Sequence, residues 1–183
     1  MKAKIFISLA LLTVLVTSCN KPVYMYYELT NVDKQMIPYE LGQTVSFIDS
    51  EGQPFILTVT TDTTVLFTDR EMDNLYLTIY RRVVRLQSDS LRISLSVTAK
   101  YPKDSYNTID IDIRLIPSVY LHYDKSGNFL TNTFNFFHDS IEINGKVYYD
   151  VIEQKGNTQL FYNKTYGILQ INRDGENFLT INE

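Results

Sequence analysis

The chain has 183 residues, 13% of them aromatic and 21% charged, and 17 basic against 21 acidic side chains leave a net charge of −4. That balance argues against nucleic acid or an anionic bilayer as an electrostatic partner, and a lone cysteine excludes an internal disulfide framework. Fourteen tyrosines and ten phenylalanines with no tryptophan favour strands over helices, because rings pack well on a pleated surface.

Lys2 and Lys4 open the chain, followed by the 12-residue apolar run Ile5–Val16 and the small or polar pair Thr17-Ser18. This is the layout of a secretory leader. A spanning helix needs about 20 apolar residues, so the run is too short to cross a bilayer. Val16-Thr17-Ser18-Cys19 resembles the bacterial lipobox, in which an aliphatic and two small residues precede a lipidated cysteine. The resemblance implies a diacylglycerol on the Cys19 sulfur, removal of residues 1–18 and acylation of the new N-terminus. Each buried methylene contributes about 0.8 kcal/mol, so several acyl chains on one residue make a practically permanent anchor.

The chain then divides into a signal peptide (1–18), a lipidated tether (19–23) and one β-rich domain (24–183). Loss of the leader's two lysines leaves 165 residues carrying a net charge of −6. A domain of this size buries roughly 70% of its unfolded surface and builds a core without metal or disulfides. Asn20 stands where an aspartate would resemble an inner-membrane retention signal, and no acidic run resembling a surface-export tag follows Cys19. The expected location is the outer membrane, facing the periplasm.

Within the domain, Tyr24–Thr30 reads as a first strand; Tyr24, Tyr26 and Tyr27 are either half-buried strand residues or interfacial anchors. Pro38–Gly42 is a loop. Ser50-Glu51-Gly52-Gln53 between Thr44–Asp49 and Pro54–Thr60 predicts a hairpin. The stretch 69–86 is ambiguous. Thr68 and Glu71 have capping-box spacing ahead of a helical stripe, whereas Leu75, Leu77 and Ile79 alternate with Tyr76, Thr78 and Tyr80. Strand is preferred, with a bulge near Arg81-Arg82.

Leu91, Ile93, Leu95 and Val97 alternate with polar residues, as do Ile109, Ile111, Ile113 and Leu115. Each run has one wet and one buried face, the mark of an antiparallel sheet. Turn signals at Asp124–Asn128, Asn144-Gly145, Gln154–Asn157 and Arg173–Gly175 punctuate the C-terminal third. Six of the seven glycines fall in turns or loops; Gly167 lies inside a strand, which points to a bulge or a close backbone approach. The sum is an all-β, antiparallel meander folded as a β-sandwich or a partly open β-barrel.

Ser46–Gly52 and the tail Leu160–Leu169 resemble uncharacterised Bacteroidota-type outer-membrane lipoproteins, which pair a lipobox with a β-rich body. That resemblance implies location and fold, and no activity.

Catalytic chemistry is thinly supplied. The histidines are His122 and His138; His138-Asp139-Ser140 spells a triad, but strand neighbours point to opposite faces, so an exposed or partner-satisfied histidine is expected. Asp110 and Asp112 share a strand face with Arg114, which is expected to screen them. Arg81, Arg82 and Arg85 beside Tyr80 form a solvated basic face or an anionic-headgroup contact. No catalytic residue, cofactor or metal site is assigned, and the chain is not read as an enzyme. Three functions stay open: a membrane-anchored interaction or scaffold module with an envelope protein partner, a carrier for an apolar ligand inside a β-shell, and a glycan-binding module.

Overall fold

The computed structural model describes residues 22–72, 75–100, 104–114 and 116–182. The leader, Cys19 and Leu115 lie outside the described residues. Twelve strands and one short helix are present: β1 (Val23–Tyr27), α1 (Asn31–Gln35), β2 (Thr44–Asp49), β3 (Pro54–Met72), β4 (Leu75–Gln87), β5 (Arg92–Thr98), β6 (Asn107–Ile113), β7 (Ile116–Tyr123), β8 (Asn135–Ile143), β9 (Lys146–Gln154), β10 (Thr158–Asn163), β11 (Gly167–Arg173) and β12 (Glu176–Ile181).

Strands β2 to β7 form one antiparallel meander and β8 to β12 another, and β12 pairs with β2 to join them. The all-β, antiparallel sheet is thereby nearly closed into a barrel. Its seam lies between β7 and β8, where the chain turns back at Asp124–Asn128. Phe129 bridges Tyr123, and the Leu130 amide donates to the His122 carbonyl at 2.9 Å. Alternation does what the sequence predicts. Ile93, Leu95, Val97, Ile109, Ile111 and Ile113 are fully buried on the inner face, while their neighbours on β5 and β6 are more exposed. Asn144-Gly145 closes the β8–β9 hairpin with φ of 53° and 76°, as a two-residue primed turn requires.

The β3–β4 hairpin departs from expectation. The ambiguous stretch is a strand, but Arg81 and Arg82 pair in unbroken register; the irregularities sit at Val59/Thr61 and Arg70/Met72 instead. β3 also runs to Met72, well past the expected end at Thr60. β2 leaves β3 at Thr58 and β5 leaves β4 at Arg81, so the hairpin beyond those points projects from the barrel as an arm. β1 lies along this arm, parallel to β4, with Val23 opposite Leu75 and Tyr27 opposite Ile79.

The expected first strand ends early because Thr30 caps a helix. Its hydroxyl accepts from the Asp33 amide at 3.1 Å, and the Asp33 carboxylate accepts from the Thr30 amide at 2.8 Å. Residues 29–39 then enter the barrel and plug one end of it, burying Leu29, Met36, Ile37 and Tyr39.

A buried segment with little regular structure must find partners for its backbone. Arg82 supplies several. Its side chain turns inward, pairs with Asp62 at 2.8 and 2.9 Å, and donates to the carbonyls of Lys34, Ile37 (2.9 Å) and Tyr39 (2.9 Å). The Tyr162 hydroxyl donates to the Met36 carbonyl, and the Tyr39 hydroxyl accepts from the Ile168 amide at 2.7 Å. Asp33 is held from the barrel wall by Asn107 and by the Tyr123 hydroxyl at 2.6 Å. Burial drives the phenols of Tyr39, Tyr123 and Tyr162 well above the ordinary tyrosine value, so each stays neutral.

Gly167 is the close approach foreseen in the sequence: at φ 77° its Cα lies against the Tyr39 ring, and a Cβ there would overlap the ring and hydroxyl. Gly167→Ala is expected to lower stability by about 2–4 kcal/mol, from overpacking plus an unfavourable φ, read as a fall in the urea midpoint. Arg82→Met leaves Asp62 and three carbonyls without their donor, and is expected to cost about 3 kcal/mol. Limited proteolysis of Arg82→Met should also cut within residues 28–43 faster than in the parent protein.

Candidate functional site

Alternation places the polar partners of the buried isoleucines and leucines on the outer wall. There β4 to β7 line a cleft of about 380 Å³ built from Arg81, Thr98, Lys100, Tyr106, Thr108, Asp110, Tyr120 and His122. Register explains the grouping: Arg81 stands opposite Thr98, Thr108 opposite His122, and Asp110 opposite Tyr120.

The side chains are organised by direct contacts. Arg81 donates to the Thr98 hydroxyl at 2.8 Å and lies 5.2 Å over the Phe67 ring. Lys100 donates to the Thr108 hydroxyl at 3.3 Å and sits 4.9 Å over the Tyr106 ring, which meets the His122 imidazole edge-on at 4.7 Å. Thr108 Oγ1 and His122 Nδ1 are 3.1 Å apart. With Lys100 as donor to Thr108, the threonine proton is free to point at Nδ1, which puts the imidazole N–H on Nε2.

Electrostatics fit that arrangement. Burial and then the Lys100 charge hold the His122 pKa below its ordinary 6.5, against the pull of Asp110. Burial raises Asp110, opposed by Arg81, Lys100 and His122. With His122 neutral, two cations face one carboxylate, a locally positive cleft on an acidic protein. Tyr106 and Tyr120 are 42% and 53% exposed, so two aromatic faces flank the polar floor.

Several expected groupings come apart. The three arginines do not share a face: Arg82 points into the barrel, Arg81 lines the cleft and Arg85 is solvent-exposed. The charges facing Asp110 are Arg81, Lys100 and His122, not Arg114, which lines a separate basin of about 340 Å³ with Phe55, Leu91 and Phe178. His138 makes no triad with its sequence neighbours; its Nε2 lies 2.7 Å from Glu153 on the adjacent strand. Glu153 also accepts from Gln159, which in turn accepts from Asn172 at 2.7 Å. Burial raises Glu153, but these hydrogen bonds and His138 outweigh it and keep its carboxyl below the ordinary value. Sequence reading missed Glu153 and Lys100; the alternation that set their strand faces was visible, the register across strands was not.

Asp124 binds its own turn, accepting from the Ser126 and Asn128 amides at 2.8 and 2.9 Å. Among the described residues no group of three or more His, Cys, Asp or Glu side chains is placed to hold a metal ion, and no helix is long and apolar enough to cross a membrane. No protein-family model, curated protein or solved structure matches the chain.

His122 is expected to titrate below 6.5 by NMR. Removing the repelling charge in Lys100→Met should raise the midpoint, and removing the attracting one in Asp110→Asn should lower it. The folded-state value lies below that of the unfolded chain. The linked stability is therefore fully present above pH 6.5 and is lost as pH falls through the folded-state value.

Proposed function

We propose that the chain is a lipid-anchored outer-membrane protein of the bacterial envelope, facing the periplasm, and works there as a non-catalytic binding module. The observation that carries the binding-module reading is the plug. The barrel's bore is occupied by residues of its own chain, fixed by Arg82, Tyr39 and Tyr162, which leaves recognition to the outer wall. The same filling counts against the apolar-carrier reading, which needs room inside the shell.

A second reading, glycan binding, is favoured by the cleft itself. Two exposed tyrosine faces flank hydroxyls, one carboxylate and two cations, a set suited to a hydroxyl-rich ligand bearing a negative charge. A protein partner would instead engage the wall more broadly than the cleft.

Two measurements test this. Mass spectrometry of the mature protein should find acylated Cys19 as the first residue, and Cys19→Ala should leave the protein releasable by a detergent-free wash. Detergent-solubilised mature protein should retain acidic oligosaccharides, and Tyr120→Ala and Arg81→Ala should each weaken that retention without changing the unfolding midpoint. Retention of an envelope protein insensitive to both substitutions would favour the interaction-module reading. Turnover of an envelope substrate would overturn both.

A further inference from the structure

The arm carries apolar surface that nothing in the barrel uses. Val65, Leu66 and Phe67 of β3 and Val23, Tyr24, Met25 and Tyr26 of β1 are all exposed, on a ribbon that stands clear of β2 and β5. Tyr24 and Tyr76, opposite each other in register, stack at 5.3 Å with an interplanar angle of 23°. Five other exposed apolar residues, Phe134, Phe136, Phe137, Val147 and Tyr149, lie on or beside β8 and β9, strands of the barrel sheet itself; those of the arm stand apart from them, concentrated on one projection.

The direction of β1 says what lies next to that projection. β1 is parallel to β4, and its first residue, Val23, stands opposite Leu75, the first residue of β4. The chain therefore enters the fold at the outer end of the arm. Cys19 precedes Val23 by four residues, and four extended residues reach at most about 14 Å. Resting on the reading of Cys19 as lipidated, the outer end of the arm is held within that distance of the acyl chains.

We infer that the β1–β3–β4 arm lies in the headgroup region of the bilayer as a second, non-covalent contact that orients the barrel. Tyrosine suits that depth, with an apolar ring body and a hydroxyl for the headgroups. Leu66, which the register places on the same face as Tyr24 and Tyr26, adds apolar area of the kind that binds interfacial elements about 5–10 Å into the headgroup boundary. Depth is limited by charge: between the end of β3 and the start of β4 the sequence carries Asp69, Glu71 and Asp73 against Arg70. Carboxylates of that number do not enter hydrocarbon, so the arm lies along the interface and does not dive through it. The barrel end that faces the lipid is then the plugged one, because the arm leaves the barrel beyond the Arg82 clamp.

The test uses the mature lipidated protein reconstituted in phosphatidylethanolamine vesicles. An environment-sensitive fluorophore is attached at Leu66→Cys on the arm, or at Ile56→Cys, an exposed apolar position nearer the other end of the same strand. A quencher carried in the headgroup region should quench the Leu66 label several-fold more strongly than the Ile56 label, and one carried at the acyl-chain end should quench neither. Replacing Tyr24 and Tyr26 together by serine should abolish the difference while the protein stays in the vesicle fraction.

Equal weak quenching at both positions, with the protein still vesicle-bound, would overturn the arm contact and leave the lipid anchor standing. A Leu66 label shielded in native membranes but unquenched in vesicles would overturn it in favour of a protein partner. Release of the protein from vesicles by a salt-free wash would instead count against the anchor.

Discussion

A sheet curled around a piece of its own chain has to satisfy every polar group that piece carries inward. Here the obligation falls on a guanidinium. Arg82 neutralises its charge against Asp62 and turns its remaining N–H groups on three carbonyls of the plug. A lysine in its place would offer a single point of charge without the planar fork that reaches both partners at once. Tyr39, Tyr123 and Tyr162 complete the enclosure, each combining a large buried ring with one directed hydroxyl bond. The tyrosine-rich, tryptophan-free composition thus has a structural use: a phenol reaches across a barrel interior and still terminates in a polar group.

The plug also divides the molecule's surfaces by role. The inner faces of β5 and β6 are mainly hydrocarbon, with Asn107 of β6 and Tyr162 of β10 turned on the plug, while the varied side chains of the cleft lie on the outer wall. Odd and even positions on β4 have opposite fates. Arg81 goes out to the cleft and Arg82 goes in to the clamp, so two adjacent identical residues serve unrelated ends. A one-residue slip of β4 would exchange them, burying Arg81 away from Asp62 and exposing the group the plug depends on.

What could be read from the residues, and what could not, follows from range. β5 and β6 were legible because each has a wet face and a buried face, and the β8–β9 turn because Asn144-Gly145 suits two positive φ values. Gly167 announced a close approach, but its neighbour Tyr39 is far away in sequence and no local pattern names it. Helix α1 escaped notice because five residues carry no periodicity, and its capping box uses aspartate in place of the commoner glutamate. The length of β3 was hidden by Thr60–Thr64, a polar run with no one-sided pattern, which is extended only because β4 pairs with it. The cleft is a matter of register across four strands, which alternation within a strand does not encode.

The two meanders are joined by strands far apart in the chain, β2 directly after the plug and β12 at the C-terminal end of the described chain, pairing through Phe47–Ile181 and Asp49–Leu179. During synthesis β12 emerges after every other described element. Until then the plug has no finished wall to seat against, and β2 presents an open edge of the kind that recruits foreign strands. Contacts of such long sequence separation form slowly. The nascent molecule therefore passes through an interval in which the apolar inner face of its sheet is uncovered, and shielding it in that interval would fall to folding helpers.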